Sequence, residues 1–242
     1  MTTPEPTVLK LISAGAARGL VAALQERFCA ETGARVDGRF GAVGAMKEAL
    51  LGGAACDAMV LTEPLIDALV ASGHLRAAPR APLGRVRTGV AVRRGDSLPA
   101  LGTADALRAA LRAADRIYFP DPERSTAGIH FAAVLRKLGI DAELAPRIAT
   151  FPNGATAMRA LAASADSRPI GCTQITEIGD TDGVQLVGAL PREFELATVY
   201  AAAVGATAAD RETAARFVAL LTGAESAALR IERGFELEPA LR

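Results

Sequence analysis

Residues 8–40 read VLKLISAGAARGLVAALQERFCAETGARVDGRF, and they contain the alternation of elements that decides the fold. The apolar run at 8–12 predicts a strand. Apolar residues then recur every three or four positions over 19–31, which predicts a helix. Gly33 follows as a natural C-terminal stop for that helix. Polar and apolar residues alternate over 35–40, which predicts a second strand. The stretch therefore predicts a strand, a helix and a second strand.

The rest of the chain repeats this alternation. The further predicted strands are 58–61, 88–92, 116–119, 170–173, 184–187 and 198–204. The further predicted helices are 41–53, 64–72, 103–113, 127–138, 153–164, 208–221 and 224–233. Because helices separate the early strands, we expect parallel sheets built from right-handed strand–helix–strand units, and the fold class is α/β.

The composition excludes several classes of function. Among the 242 residues, 27 Lys and Arg balance 27 Asp and Glu, so the basic surplus typical of nucleic-acid binding is missing. Cys29, Cys56 and Cys172 are widely spaced, no CxxC pair occurs, and the chain has only two histidines. We therefore predict no metal site and no cofactor. The thiols are expected to be reduced and mostly buried, with Cys172 as the candidate for reactivity.

The N-terminal sequence MTTPEPTVLKLISAGAARG lacks a basic start followed by an apolar run of about 7–15 residues, as secretory signals have. No stretch reaches the roughly 18 apolar residues of a membrane span. The sequence as it stands thus predicts a cytoplasmic protein without membrane insertion. A periplasmic location remains the alternative if an export signal was removed.

Glycine-bearing loops follow several predicted strands and open helices. They are Ser13–Ala16, Gly41–Gly44, Ser125–Gly128 and Asn153–Thr156. In open α/β sheets, ligands bind at the carboxyl ends of strands, where helix N-termini offer N–H donors and partial positive charge. We therefore predict an anion site built from these loops. For each loop on its own, ordinary helix capping is the competing explanation.

Four segments in order resemble the molybdate-binding proteins of ABC transporters. They are residues 13–61, DPERSTAGIHFAAVLRKLGI at 121–140, RPIGCTQITEIG at 168–179, and 197–236 with its FVALLTG and RGFE motifs. The resemblance implies a two-lobed type II periplasmic-binding-protein fold, with mixed sheets flanked by helices and a ligand cleft between the lobes. It implies a first lobe of residues 1–86 and 200–242 and a second of 87–199. The chain would cross between them near 85–92 and 198–204.

The resemblance also implies a set of ligand-binding residues. That family holds its oxyanion with hydroxyl and backbone N–H groups, but this chain has Gly15, Ala42-Val43 and Gln174 where the family has hydroxyl side chains. We therefore predict a small anionic ligand, an oxyanion or a carboxylate, that is not molybdate. An ABC-transporter permease is the expected partner if the chain is exported. The predicted ligand-binding residues are Ser13, Gly15, Ala16, Arg18, Ala42, Val43, Gly44, Ser125, Thr126, Ala127, Gly128, Asn153, Gly154 and Gln174.

An enzymatic alternative stays open, because the chain also resembles isomerases of small unsaturated carboxylates such as aconitate isomerase. An allylic proton shift needs a positioned base and donors for the developing negative charge. His130 and Glu63 are the candidate catalytic residues. A packing role for His130 and a first-turn helix charge for Glu63 are the competing explanations.

Overall fold

The computed structural model describes residues 7–237. The strands are β1 (Val8–Ala14), β2 (Arg35–Gly41), β3 (Ala58–Thr62), β4 (Leu75–Arg93), β5 (Arg116–Pro120), β6 (Ile148–Phe151), β7 (Pro169–Gln174), β8 (Val184–Ala189) and β9 (Ala197–Gly205). The helices are α1 (Arg18–Thr32), α2 (Val43–Leu51), α3 (Glu63–Ala71), α4 (Ala104–Ala113), α5 (Thr126–Lys137), α6 (Asp141–Leu144), α7 (Gly154–Ala162), α8 (Ile175–Gly179), α9 (Arg211–Thr222) and α10 (Ala227–Glu232). Helices and strands alternate along most of the chain, which confirms the predicted α/β class.

The chain forms two compact units. The first unit runs up to Arg85 and resumes at Val199, and the second unit is Val86–Thr198. The strands β4 and β9 each contain residues of both units. The first unit is therefore made of two segments that are distant in sequence, and the second is continuous.

The first unit contains a four-stranded arrangement in the order β2-β1-β3-β9. Its strand β1 pairs in parallel with β2 and β3, whereas β9 is antiparallel to β3. Every residue of β3 is buried, because helices cover both faces of an inner parallel strand. The rings of Phe28 and Phe217 meet edge-on at 4.9 Å and pack α1 against α9.

The second unit contains a mixed arrangement in the order β8-β4-β7-β5-β6. The strands β7, β5 and β6 run parallel, and β4 is antiparallel to both β7 and β8. Phe119 and Phe131 pack edge-on at 5.2 Å in the core on one face of this sheet. Met158 and Leu161 of α7 belong to the core cluster on the other face.

Several elements differ from the sequence-based expectation. The strand β6 and the short helices α6 and α8 were not predicted, since each is too brief to show a period. The first half of β4 contains Pro79 and Pro82 in a polar segment, which is typical of a loop. The helix α9 begins at Arg211 and not at 208, because the carboxylate of Asp210 accepts the Thr213 N–H at 3.0 Å and fixes the N-terminus there.

None of the helices within residues 7–237 has both the length and the apolar character needed to cross a lipid bilayer.

Candidate functional site

In each unit, the parallel strands end at one edge of the sheet. In the first unit, Ala14 of β1 lies opposite Gly41 of β2, and Ser13 lies opposite Val60 of β3. The loops at 13–18, 41–44 and 62–63 therefore lie side by side, and we call them the first edge. In the second unit, β5, β6 and β7 are parallel. Their following loops, 120–128, 151–156 and 174–177, form the second edge. Both edges are the kind of location where α/β proteins bind ligands.

Most helices that begin at these edges have no side-chain cap. Within the described chain, the side chains of the N-cap residues of α1, α2, α3, α5 and α8 accept no hydrogen bond from the first turn of their helices. By contrast, α4 and α9 follow antiparallel strands, begin at the opposite edges, and are capped by Thr103 and Asp210. The uncapped first-turn amides keep their donor capacity and favour negative charge nearby.

The first edge offers backbone donors more than side chains. Ser13 is fully buried, and its hydroxyl donates to the Ala14 carbonyl at 2.9 Å. Gly15 and Ala16 are buried in a 3-10 turn that precedes α1. Arg18 is exposed, and its guanidinium carbon lies 5.6 Å from the centroid of the Phe40 ring, a cation–π contact. This contact explains Arg18 without a ligand.

The loop that opens α2 completes the first edge. Ala42 is the N-cap residue and Val43 the first helical residue, and both are buried. Gly44 follows and is half-buried. None of these three side chains can donate a hydrogen bond, so any polar contact from this loop must come from its backbone.

At the second edge, the loop before α5 is tightly packed. Ser125 is the buried N-cap, Thr126 is half-buried, and Ala127 and Gly128 are buried. A Cβ atom added at Gly128 would overlap the backbone carbonyl oxygens of residues 120 and 121. Close approach of backbone to backbone therefore accounts for the glycine at position 128.

The N-terminus of α7 already has partners within the protein. The side-chain oxygen of Asn153 accepts the Thr156 N–H at 2.9 Å. The buried carboxylate of Glu177 accepts the Ala155 N–H. A Cβ atom at Gly154 would overlap that carboxylate, so only glycine allows this approach. Since internal acceptors serve this helix end, Asn153 and Gly154 have less capacity for an external anion than the uncapped helices.

Glu177 is a residue that the sequence analysis missed. It also accepts the Thr173 hydroxyl at 2.6 Å and the Gln174 N–H, and it thereby links β7, α7 and α8. Burial raises the pKa of its carboxyl group, although these hydrogen bonds oppose the shift. The available signal was a charged residue between Ile175 and Ile178 in the apolar segment that follows β7.

Gln174 is the most informative residue of the second edge. It is 3% exposed, and neither its Nε2 nor its Oε1 has a hydrogen-bond partner among the described residues. Thr88 lies opposite Gln174 in the antiparallel ladder, and its buried hydroxyl likewise lacks a partner in that part of the chain. The buried hydroxyl of Thr176 in α8 also has no hydrogen-bond partner within residues 7–237. Buried polar groups are nearly always paired, so this group requires an explanation.

The two candidate bases lie elsewhere. His130 is half-buried on α5, and its Nε2 contacts the Phe194 carbonyl oxygen at 2.7 Å. Because a carbonyl only accepts, Nε2 carries the proton in this contact, which explains His130 by packing. Glu63 is the first residue of α3 and lines a separate cavity in the first unit.

The thiols show no sign of activation. Cys56 and Cys172 are buried, and Cys29 is half-buried. Burial raises the pKa of Cys56 to about 12, and burial also raises that of Cys172 well above its usual value. Thiolate formation is therefore disfavoured at both positions. Over residues 7–237, no three His, Cys, Asp or Glu side chains come together as a potential metal site.

The chain is similar to known proteins over almost its whole length. The profile of the family described as "Bacterial extracellular solute-binding protein" matches residues 9–236. An aconitate isomerase from Pseudomonas sp. is 23% identical over 240 residues, which cover 97% of this chain and 89% of the isomerase.

Solved structures show the same fold. The periplasmic molybdate-binding protein of Azotobacter vinelandii superposes with a TM-score of 0.80 at 19% identity, over 96% of this chain and 100% of that one. The sulfate-binding protein SubI from Mycobacterium tuberculosis H37Rv gives a TM-score of 0.74 at 20% identity, over 97% of this chain and 88% of that one. These similarities confirm the resemblance to molybdate-binding proteins and the periplasmic-binding-protein type of fold.

Proposed function

The chain belongs to the bacterial extracellular solute-binding protein family, and from this premise we propose that it binds a small carboxylate at the second edge. The observation that carries the proposal is the buried Gln174 amide, whose donor and acceptor have no partner among the described residues. A bound solute that carries both a hydrogen-bond donor and a hydrogen-bond acceptor would pair with the two ends of this amide. Such pairing would remove the free-energy cost of burying unpaired polar atoms.

The chemistry of Gln174 favours a hydroxycarboxylate over a tetrahedral oxyanion. Molybdate and sulfate dianions only accept hydrogen bonds, so the Gln174 Oε1 would stay unpaired beside them. A carboxylic acid that also bears a hydroxyl group both donates and accepts. The first edge supports the same preference, because the Ser13 hydroxyl is already used and Gly15, Ala42 and Val43 bring no side-chain donors.

Ligand-dependent stabilisation tests the proposal. Thermal unfolding is measured with citrate, malate, trans-aconitate, molybdate and sulfate at constant ionic strength. A ligand at 100 times its Kd adds about 2.7 kcal/mol to the free energy of unfolding, so we expect a clear rise in Tm with at least one carboxylate. A rise with molybdate alone would contradict the proposal.

The substitution Gln174→Leu sharpens this test. We expect about a tenfold or greater loss of carboxylate affinity, because a charge-assisted hydrogen bond is removed. The ligand-free protein should be as stable as the wild type or more stable, since an unpaired buried amide is replaced by an apolar side chain. Gln185→Leu is the matched control in the same unit, where Gln185 donates to the Asp96 carbonyl. A Gln174→Leu protein that binds normally would exclude this site.

The similarity to aconitate isomerase supports a second candidate, an isomerase of a small unsaturated carboxylate. For this function, Glu177 is a better candidate base than His130. It lies in the first turn of α8, three residues after the N-cap Gln174, it accepts the Gln174 N–H, and the pKa of its carboxyl group is raised. Incubation with cis- and trans-aconitate, followed by NMR, tests it. Interconversion that Glu177→Gln abolishes and His130→Gln spares is the expected result, and no interconversion by the wild type removes this candidate.

Two predictions from the sequence remain proposals: a cytoplasmic location of the chain as it stands, and delivery of the ligand to an ABC-transporter permease if the chain is exported. The family description supports the extracellular form. Fractionation of the native host with an antibody to the chain distinguishes the two locations.

A further inference from the structure

The first unit contains a cavity of about 340 Å³, which is separate from the second edge. Its walls are mainly apolar, with Leu83, Val199 and Leu237 among the lining residues. Three charged residues also line it, namely Arg230 of α10, Arg85 of β4 and Glu63 of α3. The volume lies within the range of small-molecule sites, and mostly apolar walls with a few polar groups are typical of such sites.

Arg230 is a buried cation without an anionic partner. Only 6% of the surface of Arg230 is exposed. Its Nη1 donates to the Leu83 carbonyl and its Nη2 to the Gly223 carbonyl, each at 2.8 Å. A guanidinium has five N–H groups, and Nε has no partner among the described residues. No carboxylate within residues 7–237 forms an ion pair with it.

The two carbonyl contacts explain why Arg230 is ordered, but they do not neutralise it. The Gly223 carbonyl lies at the C-terminus of α9, where the helix dipole contributes only a partial negative charge. A buried charge without a full counter-charge is strongly unfavourable. Burial accordingly lowers the pKa of Arg230, in line with an uncompensated cation. An anion in the cavity would supply the missing charge.

We propose that this cavity binds a small monocarboxylate, whose carboxylate pairs with Arg230 and whose hydrocarbon part contacts Leu83, Val199 and Leu237. The carboxylate of Glu63 lines the same cavity and disfavours a second negative charge on the ligand. Arg85 also lines the cavity, but its guanidinium already pairs with the Glu236 carboxylate at 3.9 Å. The apolar walls favour a short aliphatic chain. This site rests on residues other than Gln174 and does not depend on the proposed ligand there.

Isothermal titration of the full chain with hexanoate tests the site, with hexanol and sulfate as comparison ligands. We expect hexanoate to bind with one-to-one stoichiometry and the other two to give no saturable heat. Hexanol binding as tightly as hexanoate would overturn the role of Arg230. Absence of hexanoate binding would overturn the proposal.

Two variants locate the binding. Arg230→Gln should weaken hexanoate about ten- to a hundred-fold, because a charged hydrogen-bond partner is lost. Ala81→Leu fills the cavity and leaves the guanidinium intact, so it should abolish binding even if Arg230→Gln fails to fold. Gln174→Leu should bind hexanoate normally. Loss of hexanoate binding in Gln174→Leu, or normal hexanoate binding in Ala81→Leu, would contradict this assignment. Neither result would affect the separate test of carboxylate binding at Gln174.

Discussion

Replacing Gly128 by alanine is expected to lower the free energy of unfolding by about 3 kcal/mol or more. The added Cβ would overlap the carbonyl oxygens of residues 120 and 121, which are backbone atoms and cannot rotate away. Relief requires α5 to move from the end of β5, and that movement would disturb Phe131 in the core of the second unit. Urea unfolding followed by circular dichroism measures the loss.

Gly179→Ala is the matched control in the same unit. A Cβ atom at Gly179 meets no heavy atom within 4 Å, and the residue ends helix α8 without a positive φ. We expect no loss of stability there, because alanine reduces the conformational entropy of the unfolded chain. Equal changes in the free energy of unfolding for the two variants would contradict the tight packing around Gly128.

The second large effect is expected for Glu177→Leu. The substitution leaves the Thr173 hydroxyl and the N–H groups of Ala155 and Gln174 buried without their acceptor. Each unpaired donor costs about 1–3 kcal/mol, so we expect a total loss of at least about 3 kcal/mol. Glu143→Leu is the control, since Glu143 pairs with Arg112 at the exposed surface and should contribute far less. A small loss at Glu177 would contradict its role as an internal acceptor.

Glu177 also predicts a dependence of stability on pH. Its pKa is raised in the folded state, so between the ordinary value of 4.5 and the folded value the folded chain binds more protons than the unfolded chain. The part of the stability that is linked to protonation of Glu177 is therefore greatest at low pH and is lost as the pH rises through the folded pKa. We expect Glu177→Gln to remove this decline, as measured by urea unfolding between about pH 4 and about pH 8. An unchanged decline would assign the pH dependence to other groups.

The sequence predicted the fold through its local periods. The strand and helix at 8–31 and the stop at Gly33 are present, and Gly33 has the left-handed φ of 72° that such a stop requires. The first half of β4 was missed because its prolines and charged residues show no alternation. Its pairing depends on strands that are distant in sequence, which a local pattern does not reveal.

The candidate site was predictable only in part. The loops at the strand ends follow from the parallel order of the strands, because such loops must share an edge. Gln174 was predicted from the resemblance, and its unpaired amide became visible only in three dimensions. Glu177 and Arg230 were missed, since their burial depends on residues such as Gly154 and Leu83 that lie far away in the sequence.

The division of the first unit between two distant segments has a consequence for biosynthesis. The pairing of β9 with β3 and the packing of α9 on α1 must wait until the last part of the chain leaves the ribosome. The second unit is encoded without interruption and is complete earlier. A chain truncated after residue 198 and released from the ribosome should therefore contain a protease-resistant second unit and a protease-sensitive N-terminal segment.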